Sequence, residues 1–496
     1  MNHSHAASFP RRLRCALVVV LSTSASLRGN AQEPIDRAMI AKIRAEGLDH
    51  SRAYALLDTI TTVFGPRLTG SPAFLAAVRW TRDELAGFGL NSARIESWPF
   101  GHGWELQHLT LEMVEPRFMP LIGYAEAWTP STAGDIVGTP ISVAGKTPDQ
   151  LAAMRDQIAG AIVLAAPLVT RFIEQDRVQP TDPGVASPVV TGAPRAPGTG
   201  ETPAVTRALS TSGAGVVLRP STGIDGTVFV QSGRYNVDAK VPSIIMAAEH
   251  YNLIVRMLAD HVPVTLRVNE QVRFLEDDKN GYNVIAEIPG ADPALRDEVV
   301  MAGAHLDSWH TGTGASDNAD GVATLLEAMR ILRAVRARPR RTIRVAIWGG
   351  EEEGLLGSRA WVARHLAGDS NAVARRRLSV YLNLDPGTGP VYGFYMEGNA
   401  AAQAIFDPWL EPFIDLGARK NVIEKIGNTD HLSFIDVGVP GFNAVQDYTE
   451  YDVRMHHTNM DTMERVPEAG LKESAIVFAS FLYQAAMRDG EIPRGT

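Results

Sequence analysis

Three adjacent glutamates, Glu351, Glu352 and Glu353, follow directly on Gly349-Gly350 and the apolar run Thr342 to Trp348. That run is rich in β-branched and apolar residues and reads as a buried strand. Carboxylates are costly where a buried strand ends unless something neutralises them. A metal ion would do so, and other side chains must then supply its remaining ligands. Candidates are present at similar places. His305 and Asp307 follow the apolar run Val299 to Ala304. Asp317 lies in Gly314-Ala315-Ser316-Asp317-Asn318-Ala319-Asp320-Gly321, Asp385 follows Tyr381-Leu382-Asn383-Leu384, and His457 lies in Met455-His456-His457-Thr458-Asn459-Met460-Asp461-Thr462.

A single histidine or aspartate after a strand means little, because surface loops are full of polar residues. The set carries more weight. Two histidines with several carboxylates suit two zinc ions bridged by one carboxylate and a water. Bridging explains why carboxylates outnumber imidazoles, since each carboxylate has two oxygens to share. Asp307, two residues beyond His305 on extended backbone, is expected to hold the imidazole's second nitrogen. Cys15 is the chain's only cysteine, so any metal must be bound by His, Asp and Glu.

These residues need elements to hold them. From about 281 to the end, apolar strands alternate with helical stretches: Val299 to Ala304, then helix Gly321 to Val335; Thr342 to Trp348, then helix Ser358 to His365; then strand Ser379 to Leu384. The alternation implies an α/β fold with parallel strands, covering helices and a site at the strands' C-terminal ends. Upstream, 36–88 reads as helical with a break at Gly65 to Pro72, and strands follow at Ala93 to Trp98 and Leu106 to Met113. Between 127 and 270 the character changes. Pro183 to Pro203, rich in Pro, Gly, Thr and Ala, reads as a long exposed loop. Short apolar strands surround it at Ala161 to Leu164, Gly215 to Leu218 and Ser243 to Met246, with an amphipathic helix at Glu249 to Ala259. We read four parts: 1–31 a signal peptide, 32–126 the first part of a catalytic domain, 127–270 an inserted β-rich domain, and 271–496 the second part with the metal site.

Composition sets the remaining bounds. The chain has 496 residues, 45% of them hydrophobic, which is ordinary globular composition with room for two or three domains. A net charge of -9 argues against a nucleic-acid partner, which would want a basic face. Arg11, Arg12 and Arg14, the apolar run Cys15 to Leu21 and then Gly29-Asn30-Ala31 form a secretory signal pattern. The apolar run is too short to span a bilayer. The expectation is export to the periplasm or the medium, with no stable membrane span.

Taken in order, His305-x-Asp307, Asp317-Asn318, Glu351-Glu352-x-Gly354-Leu355-x-Gly357-Ser358, Asp385 and His457-Thr458-x-x-Asp461 resemble the M28 family of zinc exopeptidases. The resemblance is close over about 280–485 and weaker over 34–125. Ser308-Trp309, Asp385-x-Gly387-Thr388 and His456-His457-Thr458-x-x-Asp461-Thr462 are more similar to the plasma glutamate carboxypeptidase branch than to small secreted bacterial leucine aminopeptidases. It implies a phosphorylase/hydrolase-like mixed sheet sandwiched by helices, with an inserted protease-associated domain. It also implies peptide substrates and two zinc ions: His305 and Asp385 on one, Glu352 and His457 on the other, Asp317 bridging, and Glu351 as general base. A cis peptide after Asp317 is implied as well. His457 is taken over His456 on the Thr-x-x-Asp spacing, since neighbours on a strand face opposite ways.

Asp430-His431 resembles an element near family active sites, so substrate contact is open there. Glu353 reads as a solvated charge at a helix start, Glu327 as a supporting group, and Arg340-Arg341 as a solvated turn. The expected activity is hydrolysis of dipeptides or short peptides; aminopeptidase, carboxypeptidase and dipeptidase readings remain open, as does a homodimer. A receptor-like binding protein and a one-zinc acyltransferase of the glutaminyl cyclase type are the competing classes. The complete ligand set argues against the first, and a metal count separates the second.

Overall fold

The computed structural model describes residues 33–185, 192–193, 198–230 and 239–495. The expected signal peptide, 1–31, lies outside them, as does part of the Pro-rich stretch. Among the described residues no helix is long and apolar enough to cross a membrane.

A seven-stranded mixed sheet is the frame. Its middle is parallel: Thr342–Trp348, Val299–His305, Leu378–Asn383 and Gly441–Asp447 lie side by side. Antiparallel strands flank them, Asn280–Ile288 and Asn91–Pro99 on one side and Thr388–Tyr395 on the other. Strands buried on both faces are mostly apolar, and the polar residues these carry are paired, as Arg344 with Glu287 at 2.6 Å and Asn383 with Asn443 at 2.9 Å. On Thr342–Trp348, Ile343, Val345 and Ile347 join the larger core, which also holds the buried faces of helices Asp320–Ala334 and Glu468–Met487. The alternate residues Ala346 and Trp348 join a second core with Trp361, Tyr381 and Phe434. Each such fully buried side chain contributes about 1.5–3 kcal/mol. Helices therefore cover both faces, and the metal-ligating residue types gather at the strand ends.

The upstream helices are Arg37–Asp49, Ala53–Asp58 and Pro72–Gly87, the last capped by the Ser71 hydroxyl, which accepts from the Phe74 amide at 3.1 Å. Within 127–270, Ile162–Leu164, Val216–Pro220 and Ser243–Met246 run parallel in a five-stranded sheet. Helices Pro148–Ala153, Pro203–Leu209 and Ala248–Ala259 share the segment with these strands. A separate antiparallel sheet pairs Gly103–Glu115 with Thr265–Leu275, so the chain entering the segment is hydrogen-bonded to the chain leaving it.

Two charged readings are corrected here. Arg341, expected in a solvated turn, is buried; it pairs with Glu298 at 2.7 Å and donates to the Arg488 carbonyl. Glu353 is also buried rather than solvated. The helix starts three residues later, at Leu356, after a left-handed Leu355 (φ 60°), so the glutamates sit in a turn folded against the sheet. Glu327 is a support as expected, binding Arg330 at 2.7 Å and the Arg52 amide at 3.2 Å.

Candidate metal centre

His305 ends its strand, Glu351 and Glu352 follow theirs, and Asp385 lies just past the strand Leu378–Asn383. The sheet therefore delivers four groups to one edge. Gly350 permits the turn: it adopts φ 73°, and a Cβ there would lie 2.5 Å from the Trp98 ring. Asp317 comes from the irregular turn Ala315–Ala319 leading into the helix Asp320–Ala334, and the Asp317–Asn318 peptide is cis. The Asn318 amide donates to the Leu384 carbonyl at 2.8 Å, tying this turn to the chain that carries Asp385.

The distances define the cluster. Asp317 presents Oδ1 to Nε2 of His305 and Oδ2 to Nε2 of His457, both at 3.3 Å. His457 Nε2 lies 2.9 Å from Glu352 Oε2. His305 Nε2 lies 3.9 Å from Asp385 Oδ1 and 4.0 Å from Glu351 Oε2. Ligand atoms of His305, Glu351 and Asp385, of His305, Asp317 and Glu352, and of Asp317, His456 and His457 each fall within 4.8 Å of one another. His305 Nε2, Asp317 Oδ2 and Glu352 Oε1 are buried without hydrogen-bond partners. Buried polar atoms are normally satisfied; orphaned nitrogen and oxygen atoms facing one another are the donor set of a cation site.

The electrostatics agree. Burial pushes Glu351 well above the usual carboxylate range, with Asp385, Asp430 and Glu352 adding to it against the pull of His305. Burial likewise lifts Glu352 to about 7, though His457 opposes it. Burial pulls His305 down, but Glu351, Asp307, Asp317 and Asp385 outweigh it and hold the imidazole well above its ordinary value. Asp317, between two imidazoles, is lowered despite burial. Buried carboxylates thus crowd one another and lean on two imidazoles for compensation, and a bound cation would relieve that crowding.

Around these groups sit braces. His305 Nδ1–H donates to the backbone carbonyl of Asp307 at 3.0 Å. That corrects the expectation for the Asp307 carboxylate, whose nearer oxygen stands 3.7 Å away. The carboxylate accepts instead from the Thr69 hydroxyl at 3.1 Å and the Glu352 amide at 3.2 Å, because the strand end turns inward toward the Gly65 to Pro72 break. Asp461 accepts from the Ser316 amide (2.7 Å), the Ser316 hydroxyl (2.8 Å) and the Asp317 amide (3.1 Å). Arg67 is fully buried and donates to the carbonyls of Leu306, Thr313 and Gly314. Thr69 and Arg67 were missed, since nothing local distinguishes them; the Gly-Pro break around them was the only signal.

A further correction concerns the site's edge. His456 and His457 are not strand neighbours: they follow the π-helical turn Tyr451–Met455, with His457 at φ 60°. Their rings lie side by side, centroids 3.8 Å apart, so both face the cluster. Burial and His457 lower His456 to about 3, leaving it neutral. Asp430 and His431, where substrate contact is open, are not among the residues lining the cavity. Both are buried, and His431 is committed to Thr429 Oγ1 at 2.5 Å and Glu397 at 3.3 Å. Their neighbours Asn428, Thr429 and Leu432 line the cavity instead.

That cavity, about 820 Å³, contains Asp317, Glu351, Glu352, Asp385, His456 and His457, with Ile173, Arg177 and Phe229 contributed from 127–270. Its size suits a small ligand or short peptide. Imidazoles and carboxylates converging on a cavity at the C-terminal edge of a mixed sheet make this a candidate metal centre open to a ligand.

Comparison with known proteins refines the class. Residues 283–482 match Peptidase family M28. The chain is 27% identical to carboxypeptidase Q of Mus musculus over 467 residues, 93% of this chain and 91% of that protein. A peptidase M28 precursor from Shewanella amazonensis SB2B has the same fold, with TM-score 0.69 and 23% identity over 92% of this chain and 98% of that one. A zinc aminopeptidase from Bacillus subtilis is also similar, with TM-score 0.58 and 16% identity over 89% and 98%. Residues 283–482 thus resemble the M28 metallopeptidases, and the likeness to carboxypeptidase Q extends over nearly the whole chain.

Proposed function

We propose that this protein is a dinuclear zinc exopeptidase that hydrolyses dipeptides or short peptides, as a carboxypeptidase Q-like dipeptidase or carboxypeptidase. One observation carries the metal count: the two oxygens of Asp317 each face a different imidazole at 3.3 Å, the arrangement a bridging carboxylate needs. His305 and Asp385 would hold one ion and Glu352 and His457 the other. Bound zinc would acidify a shared water and polarise the scissile carbonyl. Glu351 takes the proton of the attacking water and passes it to the leaving amine. Its side chain is 9% exposed and lines the cavity, so it meets substrate without being solvated. Asp461 and Arg67 hold the turns that carry Asp317 and His305, so the carboxylates need not reorganise during reaction.

Similarity over nine-tenths of the length to carboxypeptidase Q supports the peptide class. The aminopeptidase reading stands second. A panel of dipeptides, N-blocked peptides and C-amidated peptides, with zinc measured by elemental analysis, separates them. Cleavage of N-blocked but not C-amidated peptides gives a carboxypeptidase; cleavage of free dipeptides alone gives a dipeptidase; release from C-amidated peptides gives an aminopeptidase. We also read 1–31 as an export signal, and N-terminal sequencing of the mature protein near Gln32 tests that.

A further inference from the structure

His457 lies on a loop beyond the strand Gly441–Asp447, outside the central sheet. It sits in a left-handed conformation, φ 60°, that residues other than glycine seldom adopt. Tyr395 holds the start of the loop through Tyr448 at 3.0 Å, and a dense set of further contacts comes from the segment 127–270. The Asp176 carboxylate accepts from the amides of Glu450, Asp452 and Val453 at 2.8, 2.9 and 3.0 Å. Arg177 grips Asp452 by its own amide at 2.8 Å, by Nε at 2.9 Å and by Nη2 at 2.6 Å. That pair is 5% and 2% exposed. The guanidinium also lies over the rings of Tyr448 and Tyr451, at 5.2 and 5.0 Å from their centroids. From the opposite side, the Val230 amide donates to the His457 carbonyl at 3.0 Å.

We propose that Arg177 is a positioning residue for the metal centre: through Asp452 it holds the loop that carries His457, so that occupancy of the His457–Glu352 site depends on the inserted segment. The inference rests on the dinuclear reading above. Its chemistry is that of ligand orientation. A bidentate guanidinium–carboxylate pair is geometrically demanding, and losing a group that orients a metal ligand typically weakens metal affinity 10–100-fold. The His305–Asp385 site is braced by Arg67 and the strand ends, not by Arg177, so the effect is selective.

The test uses the full-length protein and zinc chloride, with affinities measured by competition against a fluorescent chelator and stoichiometry by elemental analysis. His457→Ala is the control for the underlying reading and should lose one ion of two; if it keeps both, the assignment of His457 fails and this inference with it. Arg177→Met should keep one tight ion and bind the second 10–100-fold more weakly. Because a lone buried Asp452 could unfold the protein, Arg177→Met/Asp452→Leu, which removes both charges, is measured beside it. The double variant should fold and show the same selective loss. Wild-type affinity for both ions in the double variant overturns the proposal. So does equal weakening of both ions in step with a fall in Tm, which would mean Arg177 serves only the fold.

Discussion

Replacing Glu351 with glutamine tests the division of labour within the glutamate triplet. Gln has the same size and removes one charge from a place where Asp385, Asp430 and Glu352 already push the Glu351 carboxyl up. Folding should therefore not suffer, and Tm should hold or rise. Metal should also remain on the proposed assignment, in which His305, Asp317, Glu352, Asp385 and His457 are the ligands and Glu351, 4.0 Å from His305 Nε2, serves the attacking water. What Gln cannot do is accept the water's proton. A positioned general base is worth about 10²–10⁴ in rate, or about 3–5 kcal/mol of barrier, so kcat on a cleaved dipeptide should fall by that factor with zinc content unchanged. Glu352→Gln should behave differently, losing one zinc equivalent. Steady-state kinetics paired with elemental analysis on both variants decides the matter. If Glu351→Gln loses zinc while keeping turnover, Glu351 is a ligand and the roles are reversed.

Chelation should lower Tm, since metal bound at 100 times its Kd stabilises the folded state by about 2.7 kcal/mol per site; thermal scans with and without EDTA read this, and identical scans would argue against bound metal. Asp461→Asn swaps one of two acceptors for an N–H donor facing the Ser316 and Asp317 amides; a loss of about 1–3 kcal/mol in denaturant melts is expected. Gly357→Ala should destabilise strongly, because its Cβ would lie 2.2 Å from the Gly349 carbonyl oxygen, a backbone atom that cannot step aside; overpacking of this kind costs about 1–3 kcal/mol. Burial lowers His310 to about 4, where its imidazole meets the Ala125 carbonyl. The folded value lies below the unfolded one, so the neutral ring is favourable above pH about 6.5 and stability is lost as pH falls from there toward 4. His310→Gln should flatten that part of the Tm–pH curve; an unchanged slope would place the acid sensitivity elsewhere.

Period and type did most of the work in the sequence. Short, β-branched runs such as Thr342 to Trp348, alternating with helical stretches, read as strands of a parallel sheet, and a carboxylate or imidazole just past each is then expected at one edge. His305, Glu351, Glu352 and Asp385 were legible for that reason, and Asp317 and His457 through their motifs. Tertiary structure decided what local pattern does not encode. Arg341 and Glu353 are buried because distant partners and an inward turn receive them, although charge alone predicted solvent. Asp307 serves Thr69 and the Glu352 amide rather than its neighbour's imidazole, because the strand end bends toward a loop more than 200 positions earlier in the chain. The His456–His457 pair leaves the sheet for a turn that Asp176 and Arg177 help to hold from more than 250 positions earlier in the chain. Spacing along the chain fixes which groups share an edge; which of them touch depends on loops brought together from far apart, and only the folded chain supplies that.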